Sequence, residues 1–525
     1  MTNQHHSSQP AAEGRRRFVA DVAALTFAGY LVQPVMFASN LFTRRSLGPW
    51  LAGVFATLML VQQYTQLLNL GVLQAAERQL PFLRGRNDPD RHARIKVASL
   101  TVALASGLIT AVGTLAYALV RRSTIDSALY QGLVVYAGLG LFTQWSLSIL
   151  TFLRSEQRFQ YLARNNVLFM VLTAIGNVTL THWFGFAGLL GWTAFTTILG
   201  CVAYTRAFGL VRPRVDRSIL EESKKLVVAG IPLLLVNFSH MGVHTMDNVM
   251  VLKLLGTEEL GKYTLALSGG AVIYSFANSV TQVLYPRIQE EHGRAGNNDV
   301  VLRLIGRPTM ILAVILPVFV APLFFLLPVI VRAYIPKFIG GLPAFRIIMA
   351  GISLYALIQI PRLCLISLGR MRLLIIWSLV TMATCVGAAY GLVGFGLPGV
   401  AIAACIAYLI GFVGPTAHLL KDRPRGAPLI GPIVRAIVPG GYAAAILWGI
   451  EHYWPTDQSS PRNALIHALL RMGLFLCFYA PLMALSESET GLRRDYLAPA
   501  WRRVAGRSRG KNEGFDQNPS GPAGR

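Results

Sequence analysis

The chain has 525 residues, of which 54% are hydrophobic and only 14% charged, with a mean hydropathy of +0.50. A soluble globular domain carries about 25% charged residues, so a set of soluble domains is excluded. The net charge is +24, from 48 basic and 24 acidic residues. Such a balance raises nucleic acid as a partner, and the distribution of the charges, given below, argues against it.

Residues 1–17 are polar, predict disorder, and end in Arg15-Arg16-Arg17. The apolar run behind them is about 25 residues long and lacks a small-x-small cleavage site, so it reads as a retained span and not as a leader peptide. Runs long enough to cross a bilayer are predicted at 18–42, 48–76, 96–120, 132–153, 161–183 and 185–206. A basic connector, 207–225, carries Arg212, Arg214, Arg217, Lys224 and Lys225. Further spans are predicted at 226–252, 262–286, 304–332, 341–367, 373–394, 396–419, 433–454 and 463–485, with a polar, Arg-rich tail over 486–525. The fold class is therefore an all-α polytopic membrane protein of about fourteen transmembrane helices. Cys201, Cys364, Cys385, Cys405 and Cys477 all lie in apolar segments without CxxC spacing, which suggests neither a disulfide framework nor a metal site.

With the N-terminus inside, the cytoplasmic segments hold 36 of the 48 basic residues and the outer loops hold 9. This bias orients the chain with both termini in the cytoplasm. It also accounts for most of the net charge without a nucleic-acid partner.

The two groups of six spans resemble one another. Arg45-Ser46-Leu47-Gly48 followed by Gly53-Val54-Phe55 aligns with Lys253-Leu254-Leu255-Gly256 followed by Gly261-Lys262-Tyr263, at a constant offset of 208 residues. Asn40 and Asn248 fall at the same offset. Both copies begin on the same side, so the repeat is parallel, an arrangement of secondary transporters.

The pattern ArgSerLeuGlyPro…AlaGlyValPhe after the first span, with AspAsn…LeuLeuGly…LeuGlyLysTyr after the seventh, resembles the polysaccharide-exporting branch of the multidrug/oligosaccharidyl-lipid/polysaccharide (MOP) flippase superfamily. Wzx-type flippases of lipid-linked oligosaccharides are the nearest in pattern, and the resemblance covers about residues 45–485. In that family a basic residue commonly follows the seventh-span Asp, where this chain has Asn248. The resemblance implies two six-helix lobes, 18–206 and 226–419, around a central cavity, with 207–225 as linker and 420–485 as two extra helices.

Polar residues recur at helical spacing inside the spans. Gln33 and Asn40 stand in span one; Gln62, Gln66 and Asn69 in span two; Asn237, His240, His244 and Asp247 in span seven; Ser275, Asn278 and Gln282 in span eight. Such stripes face either a wet interior or one another as interhelical glue. We take Gln33, Asn40, Gln62, Gln66, Asn69, Asn237, His240, His244, Asp247, Asn278 and Gln282 as candidate cavity-lining residues. Arg346, Arg362 and Arg471 lie within spans, where Asp21 and Asp247 are the evident carboxylates. An intramembrane Arg needs water, a partner or a ligand, and Arg grips phosphate bidentately. The three are candidates for a pyrophosphate headgroup, with snorkelling as the alternative for Arg346 and Arg362.

His240, His244 and Asp247 could serve as a proton or cation relay. A metal site is not expected, because no fourth ligand accompanies them. The sequence contains no P-loop, GxSxG or HExxH motif, so no catalytic residue and no cofactor is assigned. Asp88-Pro89-Asp90 is read as a loop turn and not as a glycosyltransferase DxD. The resulting expectation is a non-enzymatic flippase of the cell inner membrane. Its substrate would be a polyprenyl-pyrophosphate-linked oligosaccharide for O-antigen, capsule or exopolysaccharide. Its partners would be membrane lipids and the polymerase, chain-length and export components of the pathway. The rivals are a lipid II flippase, a drug/cation antiporter of the same superfamily, and an integral-membrane O-antigen polymerase or ligase.

Overall fold

The computed structural model describes residues 9–295, 298–421, 430–455 and 460–486, and no strand occurs among them. Fourteen helices run in order: α1 Gln9–Thr65, α2 Val72–Gly85, α3 Pro89–Val120, α4 Ser127–Ser155, α5 Phe159–Phe208, α6 Arg217–Leu254, α7 Thr257–Ala295, α8 Asn298–Tyr334, α9 Leu342–Leu357, α10 Gln359–Ser367, α11 Met371–Leu392, α12 Leu397–Leu420, α13 Ile430–Tyr453 and α14 Pro461–Leu485. Predicted spans and helices correspond once four features are read correctly. α1 holds span one and most of span two, broken at Gly48 (φ 76°, ψ 174°), the end of span two continues past Leu70-Gly71 into α2, and α5 holds spans five and six, broken at Gly185 (φ 58°, ψ −137°). Span ten is divided into α9 and α10, because Pro361 has no N–H to continue the helical ladder.

α5 is a hairpin. Tyr161 donates to the Ala203 carbonyl (3.0 Å), Arg158 to that of Ala207 (2.7 Å), and Gly176 leaves room for the indole of Trp192. α1 begins at Gln9, within the segment whose composition predicts disorder; Ala11, Ala12 and Glu13 in that stretch are strong helix formers. The C-terminal tail beyond residue 486 lies outside the described residues. Asp88 caps α3 by accepting from the Arg91 amide (3.0 Å) with Pro89 at the first helical position, so Asp88-Pro89-Asp90 is a helix start. Asp216 caps α6 in the same way through the Ile219 amide (2.8 Å), which holds its carboxyl below the usual range.

The two halves meet along α1 and α7. A Cβ on Gly53 would overlap the carbonyl oxygen of Thr257, and one on Gly261 would overlap that of Pro49. The two glycines separated by the 208-residue offset therefore touch each other, backbone to backbone. Their counterparts Gly48 and Gly256 both take positive φ, 76° and 92°, and turn the chain at that same end. A second backbone contact lies toward the opposite, Arg-rich end. There Leu70 (φ 54°) and Gly71 (φ 73°) interrupt span two, Asn69 Oδ1 accepts the Gly71 amide (3.0 Å), and Gly71 packs on the backbone of Gly230 in α6. A left-handed leucine is uncommon and marks a strained joint.

The C-terminal half shares one apolar core running through α6–α14. The N-terminal half has two, one at each end: Val72, Leu80, Ile95, Phe152 and Leu226 in the first, Val54, Leu58, Leu133 and Leu189 in the second. Its middle is left to polar side chains. Gly53→Ala and Gly261→Ala press on backbone that cannot rotate away, and each should destabilise by about 1–3 kcal/mol. Gly113→Ala, with no atom within 4 Å of the new methyl, should be neutral or stabilising. Thermal unfolding of the three purified variants checks the contrast.

Candidate functional site

A cavity of about 370 Å³ lies beneath the Gly53–Gly261 contact, lined by α1, α5, α6 and α7. Its polar lining is Asn40, Thr43, Arg44, Gln63, Asn177, His244, Thr245, Asn248, Thr264 and Ser268, and it contains no carboxylate. Asn40 and Asn248, the pair related by the repeat, both line it. Arg44 Nη2 donates to the Thr264 carbonyl (2.9 Å) and to Ser268 Oγ (2.6 Å), which ties α1 to α7 across the cavity. Its Nη1 is buried and has no hydrogen-bond partner, as are Asn177 Oδ1 and Asn248 Oδ1. Three unsatisfied polar atoms around one space are costly unless a ligand or water completes them. At the far side of the cavity Tyr64 and Thr245 join α1 to α6 through their hydroxyls (2.9 Å).

Comparison with known proteins agrees with this architecture. A family profile described as "Polysaccharide biosynthesis protein" matches residues 18–292, more than half of the chain. The chain belongs to the polysaccharide biosynthesis protein family. Among solved structures it is similar to the lipid II flippase MurJ in an inward closed conformation (TM-score 0.64, 13% identity, 87% of this chain and 99% of that one). It is also similar to an inward-facing multidrug resistance MATE family transporter of the MOP superfamily (TM-score 0.60, 16% identity, 75% and 96%). A MOP superfamily transporter from Pyrococcus furiosus matches at TM-score 0.52 and 17% identity, over 77% and 96%. No curated protein sequence matches the chain. The chain is thus a multi-pass helical membrane protein of this family that shares the fold of MurJ and of MATE transporters.

In this family member the seventh-span stripe does not act as one surface. Asn237 and His244 reach the path between the halves, whereas His240 lines a small separate space with Arg362, and Asp247 is 4% exposed inside the C-terminal half. The four residues spread over an arc of about 80° at 100° per residue, enough to straddle the edge where the helix leaves the cavity and enters its own bundle. Asp247 accepts from the Tyr263 hydroxyl (2.9 Å) and the Asn248 amide (2.8 Å), with the Tyr408 hydroxyl at 3.5 Å. His244 hydrogen-bonds Tyr355 and packs against both Tyr274 and Tyr355, with ring centroids 5.3 and 5.5 Å away, and those two rings also meet each other at 5.3 Å. Tyr274 reaches His240 Nε2 at 3.4 Å, and Tyr355 packs on Tyr408 at 4.9 Å. The carboxylate, both histidines and four tyrosines therefore form one aromatic, hydrogen-bonded network running inward from the cavity wall.

The span-two stripe is divided as well. Gln62 faces a small space between α1, α3 and α4, Gln66 borders both that space and a second polar chamber, and Asn69 lines the chamber. Asn278 lines none of the described cavities, and the side chains of Gln33, Gln282 and Asp21 lie outside the described set. No group of three or more potential metal ligands occurs among the described residues.

None of Arg346, Arg362 and Arg471 lines the central cavity. Glu451, in the last turn of α13, binds Arg346 of α9 through Oε1 (2.6 Å) and Arg471 of α14 through Oε2 (3.0 Å). It is an intramembrane carboxylate that sequence reading passes over, because it sits beside the polar span end His452-Tyr453. Arg362 Nη1 lies 3.4 Å from Gln359 Oε1, and its Nε is buried without a partner inside the C-terminal half. Arg44 escapes sequence reading for a related reason: next to Arg45 and Ser46 it looks like a loop residue, and only the bend at Gly48 turns it into the cavity. Glu451→Gln removes the carboxylate that the two arginines share, one of them 2% exposed, and should destabilise by about 3–5 kcal/mol. The triple replacement Arg346→Met, Glu451→Gln, Arg471→Leu should recover most of that loss, as thermal unfolding in detergent will read.

Proposed function

We propose that the protein flips a polyprenyl-pyrophosphate-linked oligosaccharide, a repeat unit of O-antigen, capsule or exopolysaccharide, from the cytoplasmic to the outer leaflet of the inner membrane. The observation that carries this reading is Arg44. A guanidinium with a free Nη1, set among amides and with no carboxylate beside it, suits an anionic headgroup. A cavity for cationic drugs would place carboxylates there, which disfavours the antiporter reading. The basic bias of the connecting segments supports placing the Arg-rich face and both termini in the cytoplasm. The Gly53–Gly261 contact then closes the outer end.

Transport by this route needs no covalent chemistry, so no catalytic role is assigned. The halves alternate access while the headgroup crosses in the polar path and the polyprenyl tail stays in lipid. A lipid II flippase is the second reading, favoured by the similarity to MurJ over 87% of this chain. It shares the pyrophosphate and differs in the sugar. Polymerase and chain-length components of the pathway are the expected recipients of the product. A polymerase or ligase would present a large outer loop, whereas the described connections at that face, such as 121–126 and 255–256, are short.

Two measurements test the proposal. Deletion of the gene should trap lipid-linked oligosaccharide on the cytoplasmic leaflet; unchanged export in a strain without a second flippase refutes the reading. Arg44→Ala should weaken binding of polyprenyl pyrophosphate to the purified protein by roughly tenfold or more, the value of a charge-assisted contact, with membrane expression retained.

A further inference from the structure

A second chamber of about 270 Å³ adjoins the central cavity at Gln63, which lines both. It lies in the Arg-rich half of the path, between α1, α2, α4 and α6, where the apolar core of the N-terminal half is interrupted. Gln63, Gln66, Asn69, Gln74, Thr151 and Asn237 line it, and Gln74 Oε1 is buried without a hydrogen-bond partner. Its charged residues are Glu77 and Arg154, which face each other at 3.8 Å and cancel. The chamber is therefore neutral and amide-rich, with Leu67, Leu73, Leu147, Leu150 and Met241 as its apolar wall.

That chemistry matches one ligand class. A carboxamide both donates and accepts, as a sugar hydroxyl does, so a cluster of amides can satisfy a ring of hydroxyls in any rotamer. A phosphate would find no net positive charge here, because Glu77 accompanies Arg154. An apolar tail would leave the buried Gln74 Oε1 unpaired and meet the amides of Gln63, Gln66 and Asn237. The volume, just below the roughly 300–1,000 Å³ of ligand pockets, fits a short saccharide.

The spacing along α1 agrees. Arg44 lies four residues before the Gly48 bend and Gln63 fifteen after it. At 1.5 Å per residue their depths differ by roughly 15 Å. We propose that this amide-lined chamber is the subsite for the uncharged sugars nearest the lipid's pyrophosphate, which is held at Arg44. The inference rests on the function proposed above and assigns that substrate's parts to separate chambers.

The test compares two probes on the purified full-length protein in lipid nanodiscs: polyprenyl pyrophosphate, and the same lipid bearing a neutral trisaccharide. The readout is the ratio of their affinities. A sugar satisfying two or more amides should raise affinity about tenfold, and Gln66→Leu, Gln74→Leu, Asn237→Leu combined should bring the ratio toward one. Should the triple variant fail to fold, the near-isosteric Gln74→Met should still lower the ratio severalfold. A native protein that binds both lipids equally, or a ratio that survives the substitutions, overturns the sugar subsite and leaves the phosphate reading standing. A native protein that binds neither lipid overturns the proposed function, and the subsite with it.

Discussion

The contact between Gly53 and Gly261 sets the frame on which the rest depends. Helices in lipid gain nothing from excluding water and associate through close packing, so small residues decide where two backbones can meet. Here the repeat puts a glycine at the same place in each half, and the two meet at one end of the cavity. A contact made of backbone surfaces carries no directional bond. It can therefore part without leaving an unpaired polar group in the bilayer, as the proposed transport requires of that end. Arg44 follows directly from it: the Gly48 bend that delivers Gly53 to Gly261 also turns Arg44 toward Thr264 and Ser268.

Apart from Arg362, the cost of charge inside the membrane sorts the charged residues described above into three kinds. Arg346 and Arg471 share Glu451, an arrangement that joins α9, α13 and α14 and offsets one of the two positive charges. Asp247 sits within a shell of tyrosine hydroxyls and a backbone amide, removed from the cavity yet linked through Tyr408, Tyr355 and His244 to its wall. Arg44 alone among the described intramembrane arginines lines the central cavity, and its hydrogen bonds to α7 leave part of its donor set free. A cation at one depth and a neutral amide chamber at another give the path a polarity along its length.

The chain's own pattern specified the all-α class, the number of spans, the basic face and the repeat. Each depends on quantities written locally: the length of an apolar run against the bilayer thickness, the count of Lys and Arg in a loop, and the recurrence of Gly48, Gly53 and Asn40 at Gly256, Gly261 and Asn248. The tertiary structure decided which polar groups meet. Periodicity places Asn237, His240, His244 and Asp247 on one side of α6, but what lies opposite each depends on where the neighbouring helices end up, and an arc of about 80° spans a cavity edge. Glu451 and Arg346 stand 105 residues apart, and Arg44 and Ser268 stand 224 apart. No local pattern relates such pairs. Helical periodicity fixes a side chain's angle about its own axis, and only packing between helices fixes whether that angle points at lipid, at a partner charge or into the path of the substrate.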